Sequence, residues 1–213
     1  MLVEADIHRL LDPFELELSS AQIGQIITYL ELLLRWNAKI NLTAIRNPEE
    51  CVTRHFGESL YLARRLALDG RLLDIGSGAG FPGLALRIVF PNLTTTLLEP
   101  VAKKRAFLKE AARACGIPLV DVRADRLEEY VRTTSRAGFD AVTSRAVGQF
   151  ERLVPQATEL LRPGGKLCLW VSRAQGAELR HARIAVNWGA PIVLPMARER
   201  EVWVGTRSLT AES

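Results

Sequence analysis

Cysteine and histidine are scarce in this chain. Three of each occur among 213 residues, and the cysteines, Cys51, Cys115 and Cys168, lack the spacing of metal ligands. An odd number of scattered cysteines favours reduced, buried thiols over a disulfide framework. The sequence therefore predicts a protein of a reducing compartment, and it predicts no metal site.

Long apolar runs and a basic leader are missing as well. No apolar run approaches the roughly 20 residues that a membrane-spanning helix needs, and residues 1–6 include no lysine or arginine. We therefore expect a cytoplasmic protein that makes no membrane contact. Its net charge of +4 permits a nucleic-acid partner without requiring one.

A glycine loop directly after an apolar segment is the most informative feature that is present. Residues 72–75 read as a short buried strand that contains one acid, Asp74, and three glycines follow at alternate positions, Gly76, Gly78 and Gly80. Glycine lets the backbone turn sharply and approach a ligand closely. A strand, a glycine loop and a helix form half of a nucleotide-binding α/β unit.

The ligand of this loop is open to three interpretations. The spacing Gly78-x-Gly80-x-x-Gly83 fits the dinucleotide fingerprint, and a tight turn with a buried, capped aspartate needs no ligand. The third is favoured by Asp74, because a carboxylate there attracts an ammonium group and repels a pyrophosphate. Asp-x-Gly-x-Gly-x-Gly resembles the first motif of methyltransferases that use S-adenosylmethionine, which carries an ammonium and no phosphate. We therefore predict that Asp74, Gly76, Gly78 and Gly80 bind S-adenosylmethionine.

A second acid ends the next apolar segment. Thr94–Leu98 is β-branched and apolar, as a buried parallel strand is, and Glu99 follows it. A carboxylate at this strand end can bind the two ribose hydroxyls of an adenosine. The alternative is a solvated acid that caps the following helix. Together with the glycine loop, Glu99 favours the cofactor role.

Strands and helices alternate from residue 71 onward. We predict strands over 71–76, 94–99, 119–123, 140–145, 166–171, 190–195 and 201–206, and helices over 83–90, 102–115, 126–133, 149–161 and 175–184. No helix separates the last two strands, so they should form a hairpin with the last strand antiparallel. The predicted fold is α/β, a Rossmann-like methyltransferase fold with a seven-stranded, mostly parallel sheet.

The first 69 residues are predicted to form a helical extension, and residues 70–208 the methyltransferase core of the same single domain. The extension carries an excess of basic residues, which fits an ordinary solvated face or contact with RNA phosphates. The candidates for RNA contact are Arg35, Lys39 and Arg46 in the extension and Arg173 after the fifth strand.

Four segments carry a resemblance to a known family. They are Trp36-Asn37-x-x-x-Asn41-Leu42-Thr43, Arg54-His55-Phe56 followed by Ser59-Leu60, residues 74–83, and Ser144-Arg145-Ala146. Together they resemble the bacterial small-subunit ribosomal RNA guanine-N7 methyltransferases, also called glucose-inhibited division protein B. The resemblance implies methyl transfer from S-adenosylmethionine to N7 of a guanosine in 16S ribosomal RNA, either free or within the small ribosomal subunit. We expect a monomer.

The same resemblance implies roles for individual residues. Phe81 joins Gly76 as a cofactor-loop contact. Its ring is a candidate stacking surface for the base, and the alternative is that it simply packs under the cofactor. Ala124 and Asp125, after the third strand, correspond to the pair that holds adenine through a backbone N–H and a carboxylate. Arg145, at the end of the fourth strand, corresponds to the arginine beside the cofactor and the reacting base.

His55 corresponds to a family histidine packed over the sheet, for which we favour a structural hydrogen bond over a catalytic part. Guanine N7 carries a lone pair and no proton, so the reaction needs no general base.

Three positions depart from the family pattern. Glu58 stands where aspartate is usual, Ser172-Arg173 stands where a lysine is usual, and Arg200-Glu201 replaces an Arg-His pair. The second change alters the charge beside the substrate pocket, so a divergent methyltransferase with another substrate stays open. Two other classes also stay open: a nicotinamide-dependent oxidoreductase, for which the chain lacks a substrate domain, and an RNA-binding ribosome-assembly protein with a relict cofactor fold.

Overall fold

The computed structural model describes residues 2–134, 138–145, 148–181, 186–197 and 199–209. Eight strands within these ranges form one sheet. They are β1 (Arg71–Ile75), β2 (Thr94–Leu98), β3 (Val120–Arg123), β4 (Phe139–Arg145), β5 (Leu161–Ser172), β6 (Val186–Trp188), β7 (Ile192–Val193) and β8 (Arg200–Arg207).

Helices flank this sheet and precede it in the chain. They are α1 (Glu4–Leu11), α2 (Ser20–Asn37), α3 (Pro48–Cys51), α4 (Glu58–Leu60), α5 (Gly83–Val89), α6 (Ala102–Ala114), α7 (Leu127–Thr133), α8 (Phe150–Leu160) and α9 (Arg173–His181). A π-helical segment, Val52–Gly57, joins α3 to α4, and short 3₁₀ segments follow α1 and α4. None of the described helices has the length and apolar character that crossing a membrane requires.

The sheet has the order β3-β2-β1-β4-β5-β8-β6, and β7 also pairs with β8. Strands β1 to β5 run parallel, whereas β8 is antiparallel to β5, β6 and β7. The predicted mostly parallel sheet with an antiparallel last strand is therefore confirmed. The chain order reverses between β1 and β4, so the crevice for a ligand lies at their carboxyl ends.

Two details of the sheet differ from the prediction. The edge position beside β8 is split between β6, which pairs near Gly205, and β7, which pairs with Glu201 and Val202. Eight strands therefore replace the expected seven, because three residues of β6 are too few to give a periodic signal. Strand β5 also begins at Leu161, five residues before the predicted strand, and its pairing with β4 is irregular between Leu161 and Lys166.

The last predicted helix begins two residues earlier than expected. It begins at Arg173 rather than at 175, because Gln175 Oε1 accepts from the Ser172 N–H and holds the turn that leaves β5. Residues 182–184 of the predicted helix, Ala146 of the fourth motif and Met1 lie outside the described residues.

The helical extension and the sheet share one hydrophobic cluster. Ile26 and Tyr29 of α2 are fully buried against residues of α5 and α6, including Leu84, Phe107 and Leu108. A capping box begins α2, with the Gln22 N–H donating to Ser19 Oγ and the Ser19 N–H donating to Gln22 Oε1. The extension thus covers the face of the sheet on which the glycine loop lies.

Candidate active site

The glycine loop follows β1 and has the backbone conformation that the three glycines predict. Gly76, Gly78 and Gly80 have φ angles of 69°, 55° and 86°, in the left-handed region that favours glycine. A Cβ atom at Gly80 would lie 2.0 Å from the hydroxyl oxygen of Tyr29. The loop therefore accepts no side chain at Gly80 without displacing the extension.

Asp74 is fully buried at the end of β1. Its Oδ1 accepts a 2.7 Å hydrogen bond from the Thr143 hydroxyl, whereas Oδ2 is buried with no hydrogen-bond partner among the described residues. Burial raises the pKa of Asp74 to about 6, against the lowering effect of the Thr143 hydrogen bond. The Oδ2 oxygen lies against Gly83, and because it has no hydrogen-bond partner among the described residues it can still accept from a cationic group of a ligand.

Glu99 follows β2 and is also buried. Its Oε2 accepts from the Gly78 N–H at 2.9 Å, and its Oε1 accepts from the Val101 N–H at 2.8 Å. These two bonds fix the carboxylate and attach it to the glycine loop. Each oxygen keeps a second lone pair for a hydroxyl donor, so the geometry is compatible with the predicted ribose contact.

A cavity of about 330 Å³ opens at the ends of β1 and β2, next to the chain positions of Asp74 and Glu99, although neither carboxylate is among its lining residues. Its lining includes Ile75 and Gly76 from the end of β1, Leu98 from β2, Asp125 from the loop after β3, and Gly148. It therefore joins two of the predicted cofactor residues, Gly76 and Asp125, across the carboxyl ends of the strands. Apolar walls with a few polar groups are typical of a small-molecule site.

The other predicted cofactor residues are not among the residues that line this cavity. Ala124 is exposed next to Asp125, whose Oδ2 accepts a 3.1 Å hydrogen bond from Arg123. The backbone N–H of Gly78 donates to Glu99 Oε2, so Gly78 contacts the second carboxylate. The Gly80 N–H donates to the Ser77 carbonyl oxygen at 2.6 Å, which closes the turn towards α5.

Phe81 is buried in the core rather than presented to a ligand. Its ring stacks on Tyr29 at 5.3 Å and on His55 at 4.8 Å between ring centroids, and Phe56 meets it edge-on. A ring packed in this way offers no surface for a base, so the suggested stacking role is wrong.

His55 is a buried, structural side chain in this arrangement. Its Nε2 lies 2.8 Å from the Thr43 hydroxyl oxygen, and Nδ1 has no hydrogen-bond partner among the described residues. Burial, helped by the charges of Arg145 and Arg54, lowers the pKa of His55 to about 3. The imidazole is therefore neutral at physiological pH.

Arg145 ends β4 and belongs to a buried charge cluster. Glu58, which is almost inaccessible, accepts from Arg200 at 2.5 Å and from Arg145 at 3.4 Å. Burial lowers the pKa of Arg145, and the charge of Glu58 opposes that shift. Nη1 of Arg145 is buried with no hydrogen-bond partner in the described part of the chain, so one donor remains for a ligand.

Two of the residues that depart from the family pattern, Glu58 and Glu201, are buried near the carboxyl end of β4 or on β8. Glu58 holds both arginines, which links α4 to β4 and β8. Glu201 is buried and accepts a 2.7 Å hydrogen bond from the Trp203 indole. Arg173 is exposed at the start of α9, and its backbone N–H donates to the Glu199 carbonyl oxygen.

The predicted RNA contacts in the extension fall into two groups. Arg35 is exposed, but its guanidinium lies 3.3 Å from Glu110 of α6. Lys39 and Arg46 line a second cavity, together with Val101, Lys103 and Lys104.

Sequence reasoning missed two residues that shape the site, Tyr29 and Thr143. The Tyr29 hydroxyl donates a 2.6 Å hydrogen bond to the Ala79 carbonyl oxygen in the glycine loop, and Thr143 binds Asp74. Tyr29 lies on the apolar face of a helix and Thr143 lies inside a strand, where both residue types are ordinary. No local pattern distinguishes them from core residues.

Comparison with known proteins identifies close relatives. The profile of the family "rRNA small subunit methyltransferase G" matches residues 22–197. A protein named "Ribosomal RNA small subunit methyltransferase G" from Streptococcus pyogenes serotype M12 is 39% identical over 185 residues, which cover 85% of this chain and 78% of that protein. One of the same name from Streptococcus gordonii is 37% identical over 186 residues, with the same coverage.

Solved structures resemble this chain in fold. The fibrillarin/Nop5p complex contains a chain with a TM-score of 0.58 and 16% identity, covering 72% of this chain and 80% of that chain. A ribosomal protein L11 methylase from Lactobacillus delbrueckii subsp. bulgaricus also has a TM-score of 0.58, with 14% identity over 71% of this chain and 79% of its own. At such low identity the likeness concerns the fold alone.

Proposed function

This chain belongs to the rRNA small subunit methyltransferase G family, and on that premise we propose that it methylates N7 of a guanosine in 16S ribosomal RNA. It is an S-adenosylmethionine-dependent methyltransferase that acts on RNA of the small ribosomal subunit. Our proposal adds two points to the family membership: the methylated atom is N7, and the substrate is either free 16S ribosomal RNA or the small ribosomal subunit. They rest on the family resemblance and on the chemistry of the site.

The cofactor part of the proposal is carried by the cavity that joins Gly76 to Asp125 beside two buried carboxylates. We assign the ammonium of the cofactor to Oδ2 of Asp74 and the ribose hydroxyls to Glu99. Asp125 and the backbone of Ala124 hold the adenine. S-adenosylmethionine supplies an electrophilic methyl group when bound.

The residues around this cavity act by position and charge. Gly76, Gly78 and Gly80 let the loop approach the cofactor closely, and Phe81 supports the loop from the core. We assign to Arg145, whose Nη1 is a buried donor without a hydrogen-bond partner among the described residues, a contact with the reacting base or the cofactor. Alignment of nucleophile and methyl carbon can contribute on the order of 7–11 kcal/mol in such reactions.

No proton has to be removed before the methyl group is transferred to N7. His55 stays neutral because burial lowers the pKa of its imidazole to about 3, and its Nε2 is engaged by Thr43. Its ring packs on Phe81, so its part in the reaction is to hold the glycine loop in place. The target guanine must leave its stack, at a cost of roughly a few kcal/mol.

RNA contact by Arg35, Lys39, Arg46 and Arg173 remains a proposal. Lys39, Arg46 and Arg173 are exposed and have no ion-pair partner among the described residues, which supports such a role. Arg35 is paired with Glu110, so its support is weaker.

The test of this proposal is the identity of the methylated nucleoside. Purified protein, radiolabelled S-adenosylmethionine and either naked 16S ribosomal RNA or small subunits from cells that lack the enzyme should yield labelled 7-methylguanosine after digestion. The matched control is Glu99→Ala, which removes the proposed ribose contact and should lose most of the product at low cofactor concentration. Label on a ribose, a pyrimidine or an exocyclic amine would contradict N7, and the absence of any labelled RNA would contradict the enzymatic assignment.

A further inference from the structure

A second cavity, of about 370 Å³, lies between the loop that follows α2 and the first turn of α6. Its lining includes four cationic side chains, Lys39 and Arg46 from the extension and Lys103 and Lys104 from α6, around Val101. We call these five residues the basic groove. No carboxylate is among its lining residues. We propose that the basic groove binds backbone phosphates of the RNA substrate next to the target nucleotide, an inference that rests on the proposed function.

The charges of the groove are not neutralised by the protein. In the described ranges, none of its four cationic side chains forms an ion pair, whereas the nearby Arg35 and Arg54 pair with Glu110 and Glu50. Four unpaired cations around one cavity make a local field that attracts a polyanion. Release of counterions from the RNA backbone would add to the binding.

The two lysines of α6 are not placed there for the stability of the helix. Lys103 and Lys104 lie in its first turn, which contains no acidic residue, and the N-cap, Val101, makes no side-chain capping bond. Positive charge at this end opposes the helix dipole and therefore destabilises the helix. A ligand with negative charge explains their position.

Both walls of the groove are fixed before a ligand arrives. The buried Asn37 side chain donates to the carbonyl oxygens of Thr43 and Ile45 and accepts from the N–H groups of Leu42 and Thr43, so it holds the loop after α2.

The other wall of the groove is formed by α6, and a hydrogen bond attaches α6 to α2. The Trp36 indole donates to Glu110 Oε2 at 3.1 Å, which joins α2 to α6. The Trp-Asn motif thus builds the groove, although neither side chain presents a charge to it.

The groove adjoins the cofactor site through one residue. Val101, one of its lining residues, donates its N–H to Glu99 Oε1, the carboxylate assigned to the ribose. An RNA strand held by Lys103 and Lys104 therefore lies beside the end of β2. This places the phosphates next to the site where the target base must meet the methyl group.

The experiment neutralises one wall of the groove. The double variant Lys103→Gln/Lys104→Gln should weaken binding of the 16S ribosomal RNA fragment by roughly fivefold or more, and should lower the slope of log affinity against log salt by about 1.4, or 0.7 for each lost contact with single-stranded RNA. The affinity for S-adenosylmethionine, measured by calorimetry, should not change. The opposite wall, tested with Lys39→Gln/Arg46→Gln, should give the same pattern.

The matched control is Lys109→Gln/Arg113→Gln, which removes two exposed charges from the same helix outside the groove. If the control weakens RNA binding as much as the groove variants do, only general charge matters and the inference is overturned. Unchanged binding in both groove variants overturns it as well. If the groove variants lose RNA affinity but the wild type methylates no guanine, the groove is supported and the proposed function fails.

Discussion

Asp74 and Glu99 are buried carboxylates at neighbouring strand ends, but their surroundings differ. Both oxygens of Glu99 accept backbone N–H groups, whereas Oδ2 of Asp74 accepts none in the described structure. The pKa of Asp74 is raised to about 6 because burial penalises its charged form. Binding of an ammonium group favours that charged form, so cofactor binding and proton release from Asp74 are linked.

We therefore expect the affinity for S-adenosylmethionine to fall below pH 6, by up to about tenfold for each pH unit, and to be constant above pH 7. Calorimetric titration between pH 5 and pH 8 measures this. In Asp74→Asn the affinity should be lower and independent of pH, whereas Asp121→Asn, a change at an exposed acid on β3, should retain the wild-type profile. A wild-type affinity that is constant from pH 5 to pH 8 would contradict the role of Asp74.

The stability of the protein must be followed in parallel, because two buried groups shift it in opposite directions. The folded pKa of Asp74 is raised, so its neutral form stabilises the folded state at low pH, and this contribution is lost as the pH rises through about 6. The folded pKa of His55 is lowered to about 3, so its contribution is present above its ordinary pKa of 6.5 and is lost as the pH falls from there. Melting curves at each pH separate these effects from binding.

The positions of single residues were predictable where chemistry and chain position agree. An acid before a glycine loop and an acid at the next strand end both lie where the sequence placed them. The stacking role suggested for Phe81 was wrong because the sequence of the loop does not show what surrounds its ring. In the structure, Tyr29 and His55 pack against that ring. Those contacts come from residues 52 and 26 positions away, which no local pattern reports.

At the scale of elements, α2 has a direct connection to the cofactor loop. It places Tyr29 so that the hydroxyl donates to the Ala79 carbonyl oxygen while the ring stacks on Phe81. The hydroxyl is fully buried, and burial raises the pKa of Tyr29, so it remains a donor at all physiological pH values. The extension thereby sets the conformation of a loop fifty residues away in sequence.

Tyr29→Phe should therefore weaken cofactor binding. The ring and its packing are kept, but the Ala79 carbonyl loses its donor, which costs about 1–3 kcal/mol for a buried acceptor. Part of this cost should appear as a higher Kd for S-adenosylmethionine in calorimetry. Tyr61→Phe, which removes a partly exposed hydroxyl elsewhere in the extension, is the control and should bind as the wild type does. An unchanged Kd in Tyr29→Phe would show that the loop does not depend on α2.

The elements that were predicted well are those with enough residues to show a period. Strands β1, β2 and β4 and helix α6 lie within one or two residues of their predicted bounds. The split edge, β6 and β7, has three and two residues, so its placement is decided by pairing with β8 rather than by its own sequence. Residues 162–165 lie within β5 between Leu161 and Lys166, which both pair with β4, although Pro163 and Gly164 are typical of a turn.

At the scale of the whole molecule, the shared hydrophobic cluster implies that extension and core unfold together. Each part carries a buried cysteine: Cys51 lies in the extension, and Cys115 and Cys168 lie in the core. Burial raises the pKa of Cys51 to about 11 and of the other two to about 12, so all three should be unreactive in the folded protein.

During unfolding in urea, the three thiols should become reactive at the same denaturant concentration. Pulsed alkylation followed by peptide mass spectrometry gives the labelled fraction of each cysteine, and Trp fluorescence gives the global transition for comparison. Coincident curves indicate one cooperative unit. Labelling of Cys51 well before Cys115 and Cys168 would contradict the single domain that we predict from the sequence.

The sheet edge beside β8 is divided between two short strands, β6 and β7, and this division affects how readily copies of the protein associate. A long, straight outer strand offers a row of unpaired backbone groups on which another chain can polymerise. Here the outer position is interrupted between Trp188 and Ile192, and the opposite border, β3, has only four residues, with charged side chains at Asp121 and Arg123. Neither border is a good template for strand addition, so the split that the sequence did not predict protects the protein against fibrous self-association.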